Sequence, residues 1–212
     1  QLEAVFHYYL EQDEPEDRIF GINGALILRS PKSLPLIEKI AKGKFKGKSA
    51  QDLALLSEKN AWWTQYEALS ALAQWQGAES FSLLKRQADS APPVAKIMGE
   101  FLWEKSLPQI ADWTKSGGAL GKEKAKHALS AAPTLAALTQ TREPMLKILR
   151  DSSADPELRH QLALKIGISS TDEDVDALLK EREQAKDAQT RLLLSAAVFA
   201  SDGGDGIAAV LT

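Results

Sequence analysis

Three histidines, His7, His127 and His160, are the only imidazoles in the chain that could bind a metal or relay a proton near neutral pH. No two lie three to five residues apart, and none sits in an HExxH-type arrangement, so no helix face carries a paired set of metal ligands. There is no cysteine, which removes thiolate nucleophiles, thiolate metal sites and disulfides together. No cofactor is expected. The acidic runs EQDEPED (Glu11 to Asp17) and TDEDVD (Thr171 to Asp176) fall at helix starts. Carboxylates there complement the helix dipole and cap free amides. Paired carboxylates doing acid–base work need a closed pocket, and the pattern predicts none.

Two glycine-rich stretches invite a ligand reading. GGALGKEK (Gly117 to Lys124) has Ser116 where a phosphate loop needs its first glycine, Glu123 where it needs Ser or Thr, and no strand before it. It reads as an inter-helix turn. SDGGDG (Ser201 to Gly206) lacks the distal glutamate of a calcium loop, and reads as a turn between two helices.

Binding residues are easier to find. Trp62 and Trp63 are adjacent, and neighbours on a helix point about 100° apart. They cannot both face one core, so at least one is expected at a junction or on the surface, where tryptophan is a common anchor. The competing reading is that they fill a junction, each burying about 150–250 Å². KGKFKGK (Lys42 to Lys48) is the one concentrated basic run. It suits contact with an acidic partner through a loop, or it is simply solvated. Lys44, Phe45, Lys46, Lys48, Trp62 and Trp63 form the candidate partner-binding set.

Bulk composition narrows the classes further. With 212 residues the chain can bury a respectable core. Its net charge of −3 gives no global basic field for nucleic acid or anionic membrane. No apolar run approaches the roughly 20 residues of a membrane span. A cysteine-free chain is compatible with the cytosol and with an oxidising compartment alike. The chain opens at Gln1 inside a helical pattern (LEAVFHYYL) and stops at Thr212 inside another, so a piece of a longer protein is expected.

The elements that would position these residues are helices in pairs. Asp155-Pro156 is a helix start, an acidic cap followed by proline at the first position. Leu158, Leu162 and Ile166 follow at helical spacing, and Gly167 suits the stop. Thr171 opens a second helix with Asp174 as a capping-box partner, and Val175, Leu178 and Leu179 give its apolar face. Two such helices cannot bury their stripes alone and need neighbours. Anchored on Arg159, the pattern places apolar residues at Leu162, Ile166, Val175 and Leu178, with small Ala163. It recurs from Arg191 (Leu194, Val198, Ile207, Val210), from Val94 (Ile97, Met98, Phe101, Ile110, Trp113), from Gln65 (Ala68, Leu69, Leu72, Phe81, Leu84) and from Arg18 (Ile22, Ala25, Leu34, Ile37), where Gly21 matches poorly. Arg159 and Arg191 lie 32 residues apart, Gln65 and Val94 lie 29 apart, and Val94 and Arg159 lie 65 apart. The last gap hides a repeat near Gly121 to Leu149, blurred by Pro133 and Pro144. Arg18 and Gln65 are 47 apart. That surplus is KGKFKGKSAQDLALLSEKN (Lys42 to Asn60), an insertion over about 43–59 with a short helix after Ser49.

Paired helices of about 30 residues, opened by Asp155-Pro156 with Arg159, Ala163 and Gly167 inside the first, resemble the HEAT-repeat family, in particular its short bacterial type that also occurs in bilin lyases. Asn60 to Trp75 looks like the same first helix with Gln65 in the arginine position. The resemblance implies an all-α fold: one domain over 1–212, an α-solenoid of about six stacked antiparallel helix pairs. HEAT proteins are mainly interaction platforms. The implied function is a non-catalytic scaffold that binds a protein partner through its groove and the 43–59 insertion, without nucleic acid or a membrane span. HEAT-type di-iron hydroxylases use His-Glu pairs, whereas Tyr8, Ala128 and Gln161 follow the histidines here. HEAT-like DNA glycosylases use a basic groove, against the acidic balance of this chain. The alternative expectation is an accessory HEAT-like domain of a larger enzyme such as a metallopeptidase.

Overall fold

The structure, a computed structural model, describes residues 1–43 and 61–201. All regular structure among the described residues is helical, with no strand. The helices group into two compact units, Gln1–Leu102 and Trp103–Thr212.

The first unit holds α1 (Leu2–Leu10), α2 (Pro15–Leu28), α3 (Leu34–Ala41), α4 (Ala61–Gln76), a 3-10 turn (Gly77–Ser80), α5 (Phe81–Ser90) and α6 (Val94–Phe101). Pro15 occupies the start of α2, where its missing N–H costs nothing. α1 packs on α2, α2 and α3 pack on α4, and α4 and α5 pack on α6. Ile22, Ala25, Ile37, Ala68, Leu69, Leu72, Leu84, Ile97 and Met98 are buried, as the template requires. Phe101 departs from it: α6 ends there, Phe101 is exposed, and Leu102 enters the core instead. Gly21 breaks the apolar pattern because α1 crosses at that point. A Cβ there would lie 2.7 Å from the Leu10 amide nitrogen, and one on Gly24 would lie 2.1 Å from the Phe6 ring.

The second unit holds α7 (Trp103–Ser116), α8 (Gly118–Leu129), α9 (Leu135–Gln140), α10 (Arg142–Arg150), α11 (Pro156–Ile168), α12 (Asp172–Gln184) and α13 (Ala188–Ser201). α7 packs on α8, α10 on α11, and both α11 and α12 on α13. Starts and stops follow local chemistry. Asp155 accepts from the amides of Glu157 and Leu158 at 3.0 and 3.2 Å. The Thr171 amide and hydroxyl both donate to Asp174 Oδ2, at 2.8 and 2.6 Å. In the blurred stretch, Thr134 caps α9 by accepting from the Ala137 amide at 3.2 Å, and Pro144 falls in the first turn of α10, where proline is tolerated.

Two glycine readings are corrected. Gly167 does not stop α11, which runs on to Ile168. It is buried, and a Cβ there would sit 2.2 Å from the Ala197 carbonyl oxygen, so it exists to let α13 approach. The run Gly117 to Lys124 is not a turn over its length. Only Gly117 bends, and α8 begins at Gly118, which takes the left-handed φ of +55°. Gly121 packs directly on the Trp113 carbonyl, which a Cβ would meet at 2.3 Å.

Candidate functional site

The polar groups that join successive helix pairs define the site by contrast. Arg159 is 0% exposed, yet each edge of its guanidinium is answered. Nε donates to the Leu149 carbonyl at 2.8 Å, one Nη to Gln189 Oε1 at 2.9 Å, and the other to Thr190 Oγ1 at 2.9 Å. A buried charge is tolerable only when its donors are taken up in this way. One edge faces back to the end of α10 and the other faces forward to the start of α13. Thr190 also hydrogen-bonds to Asp187, and those bonds hold that carboxyl below its usual range.

Further links in the second unit span a similar length of chain. Arg150 grips Glu181 through two bonds of 2.5 and 2.8 Å, 31 residues ahead. Arg142 donates to the Ser169 carbonyl and pairs with Asp174, while its Nε, like that of Arg18, has no partner among the described residues. Lys165 donates to the Ala131 carbonyl at 2.9 Å and lies 5.3 Å from the centre of the Trp103 ring. Burial lowers the pKa of its ammonium. Trp103, buried, donates through Nε1 to Thr141 Oγ1 at 2.9 Å. Lys124 lies 5.0 Å from the centre of the Trp113 ring. Trp103 and Trp113 are therefore packing residues.

At the corresponding place in the first unit the joint is open. Between the α1–α2 corner, α3 and the start of α4 lies a cleft of about 550 Å³. Leu10, Leu36 and Ile40 give it apolar walls, and Arg18, Lys39 and Thr64 give it polar ones. Gln65, the residue in the arginine position, reaches back as Arg159 does: its Nε2 donates to the Ala41 carbonyl at 3.0 Å and to the Gly43 carbonyl. Arg18 does not reach forward. One Nη turns to Asp13 at 3.1 Å, and its Nε is enclosed with no hydrogen-bond partner. Thr64, 2% exposed, likewise carries a hydroxyl with no partner. Nearby, Glu38 is held below its usual carboxylate range, chiefly by the Lys42 ammonium at 2.9 Å and then by Gln76 at 3.0 Å.

Of the sequence-predicted residues, Trp62 and Trp63 sit on the same first turn of α4 as Thr64. Both are half-buried and form a cluster with Tyr66, whose ring centre lies 5.2 Å from Trp62 and 6.0 Å from Trp63. Burial, with Glu100 and Glu67 nearby, pushes the Tyr66 phenol up to about 12, and burial raises Glu67 as well. Lys44, Phe45, Lys46 and Lys48, and all of the 43–59 insertion except Gly43, lie outside the described residues. Among the described residues no group of three or more His, Asp or Glu could hold a metal ion, and no helix is long and apolar enough to cross a membrane.

Sequence reasoning missed Arg18 and Thr64 as a site. A signal was present: a threonine directly precedes Gln65, Arg142 and Arg191. Thr190 and Thr141 accept a hydrogen bond from a donor 31 and 38 residues earlier, whereas Thr64 accepts none among the described residues. No family model, curated protein or solved structure matches the chain.

Proposed function

We propose that this protein is a non-catalytic scaffold of HEAT-like helix pairs, about six in all, stacked as an α-solenoid, and that it binds a protein partner. The observation that supports the reading is the Arg159 joint, where one buried guanidinium on α11 ties that helix to the end of α10 and the start of α13. Stacked pairs with few-residue joints make extended surfaces, not convergent pockets. Partner contact is assigned to the joint that departs from the rule, at Lys44, Phe45, Lys46, Lys48, Trp62 and Trp63. Half-buried tryptophans beside an open cleft provide rigid contact area, and the lysines that follow Gly43 in sequence suit an acidic partner.

The test compares three proteins: the full chain, the chain with 43–59 exchanged for a short turn, and Trp62→Ala/Trp63→Ala. Each is used as bait against extract from the native source. The altered chains keep their helical circular dichroism and lose at least tenfold in capture of a partner that the full chain retains. Undiminished capture by both variants overturns the assignment.

A further inference from the structure

We infer that the cleft at the Arg18–Thr64 joint is a subsite for a carboxylate, supplied by an Asp or Glu side chain that lies next to a bulky apolar residue in an extended segment of a protein partner. This rests on the scaffold reading and names the chemistry its partner must present.

The argument begins with unfilled donors. Arginine has donors and no acceptor, so the enclosed Nε of Arg18 can be satisfied only by an acceptor. The hydroxyl of Thr64, also unpartnered and lining the same cleft, adds a second donor. Buried polar groups are nearly always paired, and an exception calls for an explanation. At the Arg159 joint the equivalent donors meet a carbonyl, Gln189 and Thr190 directly. At the Arg18 joint the residue that corresponds to Thr190, Thr64, lines a cleft large enough for a side chain and its flanking backbone.

Charge selects the acceptor. The cleft holds Arg18 and Lys39 against Glu11 and Asp13, so bulk sign decides nothing. What decides is that, among the described residues, Arg18 is engaged only by Asp13, whose side chain is entirely exposed at 103%. Exposed pairs of this kind are weak. An entering carboxylate replaces Asp13 on the fork of Arg18 and meets the Lys39 ammonium, with geometry suited to two parallel bonds. Leu36 and Ile40, half-buried on α3, take the apolar neighbour.

The experiment titrates the isotope-labelled full chain with two capped peptides, N-acetylated and C-amidated, of sequence Gly-Leu-Glu-Leu-Gly and Gly-Leu-Gln-Leu-Gly. The amide resonances of Gly43, Thr64 and Gln65 should shift. The Glu peptide should bind about tenfold tighter than the Gln peptide at low salt. Arg18→Gln, a change at a partly exposed position that leaves the fold intact, should abolish the difference. Asp13→Asn should tighten the Glu peptide about two- to threefold by removing the competitor. Equal affinities, shifts confined to other surfaces, or no binding at about 10 mM peptide overturn the inference. So does binding that appears only after 43–59 is exchanged for a short turn, since the chain's own carboxylates would then be the occupant. A partner captured equally by wild type and Arg18→Gln, but lost by Trp62→Ala/Trp63→Ala, overturns this subsite and leaves the scaffold reading standing.

Discussion

The Arg159 joint and the Arg18 joint use the same residue at the fourth position of a helix opened by proline, and reach opposite states. At the first, a guanidinium with no exposure donates to Leu149, Gln189 and Thr190, and the helix pairs close on one another. At the second, Arg18 is partly exposed, is held among the described residues by Asp13 alone, and lines a cleft together with Thr64. The difference lies in what separates the arginine from its forward partner. Thirty-one residues lead from Arg159 to Thr190, whereas 46 lead from Arg18 to Thr64. The Arg159 joint uses its polar groups within the chain, and the Arg18 joint leaves an Nε and the Thr64 hydroxyl without a partner among the described residues.

The largest effect that would sharpen this contrast is at Arg159. Arg159→Ala removes three buried hydrogen bonds and opens a cavity, so it should cost about 3–5 kcal/mol in urea unfolding. Arg18→Ala should cost under about 1 kcal/mol, since its one ion pair is exposed. A comparable loss at both sites would break the comparison.

One substitution should next give opposite signs at two threonines. Thr190→Val deprives the buried guanidinium of an acceptor and should destabilise by about 1–3 kcal/mol. Thr64→Val removes an enclosed hydroxyl that has no partner, and should be neutral or stabilising by about 1 kcal/mol. Equal destabilisation of the two variants in thermal or urea melts would refute the open joint.

Acid should weaken the second unit. Hydrogen bonds from Thr171, then Arg142, lower the pKa of Asp174, and the Ser153 hydroxyl and amide with Lys115 lower Asp151 from 3.8 to about 2. A carboxyl with a depressed folded-state pKa contributes stability above its unfolded pKa and loses it as pH falls through the folded value. Melting temperature should therefore drop between pH 3.8 and about 2, and Asp174→Asn should flatten the drop. The smallest effect belongs to Glu181→Gln, which weakens the two-bond contact with Arg150. That pair is partly exposed, so the expected cost is about 0.5 kcal/mol, and less at high salt.

Much of the helical layout was legible because its signals are local. Asp155, Pro156, Thr171 and Asp174 act through their own neighbours' amides, so their spacing alone places two helix starts. The apolar template picked Leu162, Ile166, Leu72, Leu84 and Ile110, all buried. It misjudged Phe101, where the helix ends and the next residue turns inward. Gly167 was read as a stop because glycine suits both a turn and a close approach. Only the position of the Ala197 carbonyl separates the two. Trp62 and Trp63 were rightly expected not to share one fully buried face, since their angular offset is fixed by the helix. Thr64, next to them, drew no notice because a threonine shows its role only through what it fails to touch.

By itself the sequence determined that the chain forms amphipathic helices in pairs, where those pairs start, and that their stripes require neighbours, because helix period and capping are properties of a few consecutive residues. Tertiary structure alone decided that Arg159 has every edge of its guanidinium answered while Arg18 and Arg142 each keep an unanswered Nε among the described residues, because hydrogen-bond completion depends on groups 30 or more residues away that only packing brings together.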